Sequence, residues 1–424
     1  MAQRSEMIVV DAGIKANPYP LYARMRAEAP VCSVLYGASR SRVWMVTRYE
    51  DVVTVLKDWR LSNDPRKREA PGTVRSKVLS LIFARLVNNM LNSDQPDHPR
   101  LHALVHQAFT PKRIEELRQR IQALTYELLE RASSKGNWDA VSDYAVPIPA
   151  TIIAEMLGVP LKDRERFGKW SNALLLSSAT RWKGIAGNAP RFMAFLRYVR
   201  ALVKARRNEP QDDLISALVA AEEAGNKLTE DELVSMVFLL LIAGYETTMN
   251  LIGSGTLALI ENPGEMERLR AHPDMMGTAI EEFVRYYSPL EFAQARYTLS
   301  EVELAGAVIP KGEAVIAAIS SAIRDEKQFD RPDVLDLARE PNRHLGFGVG
   351  AHYCLGAPLA RLEAHVAFTN LIRRFAELRL AAASPRPQVA TEYVAAGTGI
   401  AAGGNRAGIV IRKRSGNPHL SSLR

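Results

Sequence analysis

The sequence predicts a mainly helical protein with a minor β-region, folded as one domain over residues 1–424. Three observations support this fold class. Apolar residues at helical spacing dominate beyond Thr110, a largely apolar helix of about 30 residues follows Thr229, and short alternating segments cluster after Leu299. No repeat, low-complexity stretch or linker divides the chain, so we expect one core, ordered from about residue 15 to about residue 412.

The N-terminal part combines short helices with a strand. Residues 17–31, NPYPLYARMRAEAPV, are typical of a turn, a short helix and a proline that ends it, and residues 43–47, VWMVT, predict a strand. After Gln95, DHPRLHALVHQAF predicts a helix that tolerates Pro99 in its first turn, and Thr110 caps the next helix. That next helix buries one face, formed by Ile114, Leu117, Ile121, Leu124 and Leu128.

The longest predicted helix begins at a capping box formed by Thr229 and Glu232 and runs without proline to Asn262. It is apolar nearly all round, so both a membrane span and a helix through a soluble core pass the length test. Glu246 and Asn250 lie near its centre, where an acid facing lipid is costly and no second span would shelter it. We therefore expect a buried core helix.

The last third of the chain changes character. Residues 302–319, VELAGAVIPKGEAVIAAI, alternate with turn residues and predict a small β-region. Residues 357–368, APLARLEAHVAF, predict a last helix after Cys354, with Pro358 tolerated in its first turn.

Composition excludes several classes of function. The 55 Lys and Arg exceed the 47 Asp and Glu, which gives a formal net charge of +8. The excess is dispersed and does not alternate with aromatic residues, so we expect no nucleic-acid groove and instead a basic patch for an acidic protein partner. Cys32 and Cys354 lie in unrelated surroundings, so no disulfide framework is expected, and the N-terminal residues lack the apolar core of an export signal. The expectation is a cytoplasmic monomer without a membrane partner.

The strongest chemical signal is the segment 347–356, FGVGAHYCLG, which places Cys354 just before a helix. Exposed N–H groups and the helix dipole lower the pKa of a thiol at that position, as a thiolate ligand requires. Gly348, Gly350 and Gly356 allow the backbone to approach a large flat ligand. A lone cysteine is more often buried and inert, but the pattern fixed around this one favours a ligand.

This segment resembles the haem-binding loop of cytochromes P450, and the resemblance extends over most of the chain. It implies the P450 fold, a helical prism with small β-sheets, in which haem b lies between the long central helix and the loop. Cys354 would be the thiolate ligand of the haem iron, a ligand that favours O–O cleavage. Phe347 would shield the sulfur, His352 would hydrogen-bond a haem propionate, and Gly348 and Gly356 would complete the cofactor-binding loop.

Two further motifs match the family. Glu282, Phe283, Val284 and Arg285 are similar to its Glu-x-x-Arg signature, and Arg339 corresponds to the third, structural partner. Without the resemblance, Glu and Arg three residues apart would be a weak solvated pair. Arg296 lies where the family keeps an arginine on a propionate.

His98, His102 and His106 repeat every four residues and would align on one helical face. Such a row can bind zinc, but no carboxylate or further ligand nearby completes the site. The family has a His-x-x-x-Arg pattern here that binds the propionates. His98 fits it, whereas His102 stands where the arginine is expected, which predicts a pH-dependent propionate contact because histidine titrates near neutrality.

The central helix carries Ala243, Gly244, Glu246 and Thr247. Without the resemblance, the threonine hydroxyl would simply bond back to the carbonyl four residues earlier, and the glycine would serve packing. The resemblance implies that this segment crosses the distal face of the haem, with a local bend for oxygen and water. These four residues would then be catalytic, with Thr247 and Glu246 delivering protons.

The resemblance implies a monooxygenase that inserts one oxygen atom from O2 into a small molecule. No flavin or iron–sulfur motif is fused to the chain, so a separate ferredoxin or flavodoxin with its NAD(P)H reductase would supply electrons. Lys112, Arg113 and Arg343 neighbour the segments where such a partner would dock. The alternatives are a haem-thiolate gas sensor or carrier and a peroxide-driven peroxygenase, and the Glu246–Thr247 pair argues against both.

Substrate identity is not readable from the sequence. By resemblance the pocket is lined by apolar residues, which predicts a largely apolar substrate such as a polyketide or macrolide, a terpenoid, a steroid or a fatty acid. The predicted lining residues are Leu239, Ile242, Ala243, Phe292, Ala293 and Ile400.

Overall fold

The computed structural model describes residues 8–10, 17–36, 41–67, 88–107, 109–135, 137–164, 166, 182–223, 228–375, 377–380 and 410–412. Its helices are α1 Tyr19–Glu28, α2 Tyr49–Lys57, α3 Asp97–His106, α4 Pro111–Glu116, α5 Arg118–Ser133, α6 Pro147–Met156, α7 Trp182–Asn208, α8 Leu214–Glu223, α9 Glu230–Glu261, α10 Pro263–Ala271, α11 Met276–Tyr286, α12 Ile319–Ala322 and α13 Ala357–Arg374. Its strands are β1 Ile8–Val10, β2 Val31–Tyr36, β3 Ser41–Val46, β4 Leu61–Ser62, β5 Asn137–Asp139, β6 Arg296–Thr298, β7 Val302–Leu304, β8 Ala307–Ile309, β9 Ala314–Ala317 and β10 Val410–Arg412.

The largest sheet among these residues joins N-terminal strands to the strands at residues 296–317, in the strand order β1-β2-β3-β9-β6-β4. Strand β9 pairs in parallel with β3, so that Trp44 lies opposite Val315, and antiparallel with β6. Strands β7 and β8 form a hairpin whose turn residues, Ala305 and Gly306, have φ of 47° and 78°. Two positive φ values match the twist that a tight hairpin needs.

Helix α9 runs through the helical part of the core and packs against α6, α11 and α13. Residues on all its sides are buried, and the Asn250 amide donates to the Pro289 carbonyl at 3.2 Å, so this polar side chain has a protein partner. Within the described residues α9 is the one helix long and apolar enough to cross a membrane, and 61% of its apolar window is buried inside the protein. The expectation of a core helix is confirmed.

Most predicted elements are present, and two differ. Thr229 and Glu232 form the predicted capping box, and Thr110 caps α4 by accepting from the Arg113 N–H. The single helix predicted after Thr110 is instead two, α4 and α5. The break lies at Leu117, whose N–H donates three residues back to Ile114 at 3.1 Å instead of four. Strand β2 was not predicted, although Pro30 and Gly37 flank it, because its sequence, VCSVLY, lacks a strict alternation of apolar and polar residues.

Candidate haem-thiolate site

The loop before Cys354 is shaped by glycine and by its own hydrogen bonds. Gly348 and Gly350 have φ of 71° and 81°, a region that glycine adopts without strain. The Cys354 N–H donates to the Phe347 carbonyl at 2.9 Å, and the Gly348 N–H donates to the Leu345 carbonyl at 2.8 Å. The loop folds back on itself and holds Cys354 just before α13.

The Cys354 thiol lies close to backbone amides and to a cation. Burial raises its pKa, while the N–H groups of Gly356 and Ala357 and the charge of Arg361 lower it, and the net pKa is raised. The expected lowering of the Cys354 pKa is therefore wrong for the haem-free protein, because desolvation by burial outweighs the backbone amides and Arg361. The Cys354 residue is nevertheless exposed. The thiol is desolvated by its neighbours although the residue keeps accessible surface, and a bound metal ion would deprotonate a thiol there outright.

Four basic side chains meet beside this loop. The ring centroid of His352 lies 4.0 Å from that of His98, which lies 5.6 Å from that of His102. Burial, His98, Arg296 and His102 together lower the pKa of His352 to about 3. We call His98, His102, Arg296 and His352 the cationic cluster after its one fixed cation, Arg296, since the lowered pKa leaves His352 neutral near pH 7. His102 also lies 6.0 Å from His106, but no group of three His, Cys, Asp or Glu side chains in the described part of the chain is arranged to hold a metal ion.

Arg296 is the most buried and least satisfied member of the cationic cluster. It is 5% exposed, its two Nη atoms reach the carbonyls of Leu61 and Leu56 at 3.4 Å, and its Nε has no hydrogen-bond partner. Burial lowers its pKa to about 10 against the opposing charge of Asp94, whose carboxylate already accepts from the Ser62 hydroxyl. A buried guanidinium without a carboxylate is costly, so this cluster is short of negative charge.

The three predicted structural residues meet in one cluster. Arg285 donates through Nε and Nη2 to the two oxygens of Glu282, both at 2.7 Å, and both side chains are 0% exposed. Arg339 Nε and Asn342 Nδ2 donate to the same carboxylate at 3.2 and 3.1 Å. The remaining Arg285 N–H groups donate to backbone carbonyls, Pro332 at 2.8 Å among them. The structure brings these three residues together with Asn342, and we call the four side chains the Glu282 cluster.

The predicted catalytic segment lies in an unbroken part of α9. The Thr247 hydroxyl donates to the Ala243 carbonyl at 2.6 Å, and α9 remains helical on both sides of this bond, so the expected local bend stays a prediction. A Cβ built on Gly244 would lie 3.4 Å from the Ile153 side chain of α6. This is ordinary van der Waals contact, so packing alone does not require glycine at 244, and its catalytic role stays a prediction. Glu246 is half-buried.

The predicted pocket residues are placed less uniformly. Leu239 is buried, and Ile242, Ala243 and Ala293 are half-buried. Phe292 packs edge-to-face against Tyr22 and Tyr36, at centroid distances of 6.5 and 5.1 Å, and is 9% exposed. This aromatic contact leaves little of the Phe292 ring to line a pocket. Ile400 lies outside the described residues.

Sequence reasoning missed a second ion-pair network at the cysteine loop. Glu281 accepts from Arg361 Nε and Nη2 at 2.7 and 2.8 Å and bonds His344 Nε2 at 2.9 Å. The Arg361 guanidinium lies over the Phe347 ring, 4.4 Å from its centroid. The acid doublet at positions 281 and 282 was a visible signal, but its partner lies 80 positions away and no spacing rule joins the two.

The donor set fits haem b. Its two propionates carry the negative charge that the cationic cluster lacks, and the orphaned Nε of buried Arg296 is a donor of the kind that a carboxylate satisfies. Cys354 is an exposed residue in a loop whose glycines adopt positive φ, which suits a flat ligand with a central iron.

Comparisons with known proteins give the family. The family model for cytochrome P450 matches residues 15–394. The polyketide biosynthesis cytochrome P450 PksS of Bacillus subtilis (strain 168) is 41% identical over 370 residues, which cover 87% of this chain and 90% of that protein. The 6-deoxyerythronolide B hydroxylase of Saccharopolyspora erythraea is 39% identical over 368 residues, which cover 85% of this chain and 89% of that protein.

Solved structures agree with this assignment. The structure of PksS matches with a TM-score of 0.83 at 37% identity, covering 95% of this chain and 98% of the other. A myxobacterial cytochrome P450 in complex with myristic acid matches with a TM-score of 0.82 at 39% identity, again covering 95% and 98%. Because the family match spans most of the chain and relatives at about 40% identity align over most of their own length, this chain belongs to the cytochrome P450 family and is a haem b monooxygenase.

Proposed function

We propose that Cys354 is the axial ligand of the haem iron and that the enzyme inserts one oxygen atom from O2 into a largely apolar small molecule. One observation carries the proposal: the exposed residue Cys354, just before α13, lies beside a cationic cluster whose buried arginine lacks a carboxylate. The sulfur accounts for thiolate ligation, and the cluster accounts for the two propionates. When bound, haem b supplies the iron at which O2 is activated.

The remaining cofactor contacts follow from the same geometry. Arg296, His98, His102 and His352 bind the propionates, and the unpartnered Nε of Arg296 is the donor that gains most from a carboxylate. Phe347 shields the sulfur while its carbonyl holds the Cys354 N–H, and Gly348 and Gly356 keep the loop narrow.

Thr247, Glu246 and Ala243 manage protons on the opposite side of the site. The Thr247 hydroxyl donates to the Ala243 carbonyl and keeps its own oxygen free to accept from a water. Glu246, half-buried and one residue earlier on α9, exchanges protons with solvent and reloads that water. Thr247→Ala is expected to keep substrate binding but divert reducing equivalents to hydrogen peroxide, whereas Glu246→Gln slows the whole cycle.

These two variants also separate the proposal from its rivals. A gas sensor or carrier needs neither side chain, and a peroxygenase turns over with peroxide and without a reductase. Unchanged coupling and rate in both variants, measured as product formed per NAD(P)H consumed, would favour the sensor or carrier. Peroxide turnover that exceeds reductase-driven turnover would favour the peroxygenase.

The substrate class rests on relatives and on the apolar lining residues. One relative is named for polyketide biosynthesis, one for hydroxylation of 6-deoxyerythronolide B, and one solved structure holds myristic acid. Leu239, Ile242 and Ala293 suit a ligand of this apolar character. We propose a polyketide, macrolide, terpenoid, steroid or fatty acid of secondary metabolism, to be identified by type I haem spectral shifts followed by product analysis.

We propose that electrons come from a separate redox partner, an acidic ferredoxin or flavodoxin with its NAD(P)H reductase. We also propose that the enzyme is a cytoplasmic monomer. Lys112 and Arg113 lie at the start of α4, and the Arg113 guanidinium is already paired with Asp212 at 3.1 Å. Charge reversal at Lys112 or Arg343 is therefore expected to slow haem reduction more than reversal at Arg113. Reduction rates that ignore both salt and these substitutions would contradict the docking proposal.

The axial ligand is tested by spectroscopy. The reduced protein with CO is expected to show the strongly red-shifted Soret band of a thiolate complex. Cys354→Ser removes that band, whereas the matched variant Cys32→Ser retains it. The opposite pattern in the two variants would overturn the assignment.

A further inference from the structure

Arg361 connects three segments of chain at the loop that carries Cys354. On α13, its Nε and Nη2 donate to the two oxygens of Glu281 on α11 at 2.7 and 2.8 Å. Its guanidinium carbon lies 4.4 Å from the centroid of the Phe347 ring, and its Nη1 donates to the Tyr353 hydroxyl at 3.3 Å. One side chain therefore contacts residues at both ends of the loop.

The Glu281 end of this contact is fixed independently. The Gly346 N–H donates to His344 Nδ1 at 3.1 Å, which places the imidazole proton on Nε2, where it donates to Glu281 at 2.9 Å. Burial raises the pKa of Glu281, but the hydrogen bonds from Arg361 and His344 outweigh it and hold the pKa at about 2. The Glu281 carboxylate is therefore ionised, and it fixes the position of the Arg361 guanidinium.

We propose that Arg361 and Glu281 are positioning residues for the haem thiolate. Together they hold the Phe347 ring and the Cys354 loop against α11, and they fix a positive charge beside the sulfur. This inference rests on the proposed role of Cys354. The Cys354 N–H donates to the Phe347 carbonyl at 2.9 Å, so a displacement of Phe347 reaches the sulfur through one backbone bond.

The two functions of Arg361 need different properties of the side chain. A fixed positive charge beside the iron stabilises the more reduced state and so raises the reduction potential, and any cation supplies it. Holding the loop needs the planar fork that binds both oxygens of Glu281 while stacking on Phe347, and lysine has no such fork. Charge and geometry are therefore separable by substitution.

The experiment uses haem-loaded enzyme with Arg361→Gln, Arg361→Lys and Glu281→Gln. Two quantities are measured: the reduction potential by spectroelectrochemistry, and the rate at which the reduced CO complex loses its thiolate Soret band. Arg361→Gln is expected to lower the potential and to speed loss of the band at least threefold. Arg361→Lys is expected to restore the potential but not the persistence of the band, and Glu281→Gln to speed loss of the band as well.

Arg374→Gln is the matched control. Arg374 lies on the same helix with the same 35% side-chain exposure, bonds Glu130 at 3.0 Å, and lies 5.8 Å from the Phe375 ring, about 20 Å further along α13. This variant is expected to leave both quantities unchanged. The proposal is overturned if the Arg361 variants behave like Arg374→Gln, and Arg361→Lys alone decides the loop-holding role if Arg361→Gln fails to fold. A wild-type enzyme without the thiolate band would instead overturn the role of Cys354 itself.

Discussion

Two clusters built around a buried arginine differ in whether the protein supplies that arginine with a carboxylate. In the Glu282 cluster, Arg285 is 0% exposed and has two carboxylate bonds at 2.7 Å as well as backbone carbonyls. In the cationic cluster, Arg296 is 5% exposed and has two carbonyl contacts at 3.4 Å and an unpartnered Nε. Burial alone does not distinguish them.

The difference teaches how to read buried charge. A set whose donors and acceptors match is part of the fold, because removing one member leaves the others uncompensated. A buried arginine without any carboxylate carries a desolvation cost that an anionic ligand removes. The same residue type therefore serves structure in one cluster and cofactor binding in the other.

The largest expected effect comes from breaking the Glu282 cluster. Glu282→Gln leaves the buried Arg285 guanidinium without its carboxylate and is expected to lower the free energy of unfolding by about 3–5 kcal/mol. Denaturant titration checks this, with Glu130→Gln, which removes a 66% exposed carboxylate, as the near-neutral control. If the Glu282→Gln variant were as stable as the control, Glu282 would not be compensating Arg285.

Removing Arg296 is expected to have opposite effects with and without haem. Arg296→Leu deletes an uncompensated cation, so the haem-free protein is expected to become more stable by about 1 kcal/mol, whereas Arg285→Leu destabilises it. Haem binding is expected to weaken roughly 30- to 160-fold, since a charge-assisted bond of about 2–3 kcal/mol is lost. Haem transfer to apomyoglobin measures the affinity, and an unchanged haem affinity in the Arg296→Leu variant would contradict the cofactor role.

An unpaired buried acid extends the comparison to the opposite sign of charge. Glu363 on α13 is 2% exposed, its Oε2 has no partner, and burial raises its pKa to about 8 from an ordinary value of 4.5. Below the unfolded pKa both states hold the proton. Above it the unfolded state releases the proton first, so stability falls as pH rises until the folded pKa is passed.

Glu363→Gln removes this dependence. Between pH 5 and pH 9 the wild-type protein is expected to lose about 4 kcal/mol of stability relative to the Glu363→Gln variant. Unfolding curves of both proteins at several pH values check the slope. Parallel curves would mean that a partner for the carboxylate exists in solution.

The smallest expected effect is a pH dependence of haem retention at His102. In the haem-free protein, burial and the charge of His106 lower the pKa of His102, and a bound propionate would raise it. Haem affinity is then highest below the pKa of His102 in the haem-free protein. It falls as pH rises towards the pKa of His102 in the haem-bound protein, by less than about tenfold. His102→Arg is expected to flatten the dependence, and identical haem loss at pH 6 and pH 8.5 in the wild-type protein would contradict it.

Much of this site was predictable because the signals are local. A capping box, a Cys354 loop with fixed glycines and a Glu-x-x-Arg spacing each lie within ten residues, so the sequence displays them directly. The family resemblance then supplied Arg339 and Arg296, which are distant from those motifs.

The rest could not be predicted, because it depends on contacts between distant segments or on one competing hydrogen bond. The pairing of Glu281 with Arg361 spans 80 positions, and Phe292 packs with Tyr22 across the sheet cluster. The hydrogen bond from the Thr247 hydroxyl to the Ala243 carbonyl is one that residue spacing alone leaves open. The raised pKa of Cys354 reflects burial, which no spacing displays.

The pairing of β3 with β9 has a consequence for synthesis on the ribosome. Residues 44–46 wait for residues 315–317 before that edge of the sheet is covered. At about 5–20 residues per second, the apolar edge of β3 stays open for roughly 15–50 s after it is made. An open edge of this kind pairs with other chains, so chaperone supply and the speed of translation are expected to govern the soluble yield of this enzyme.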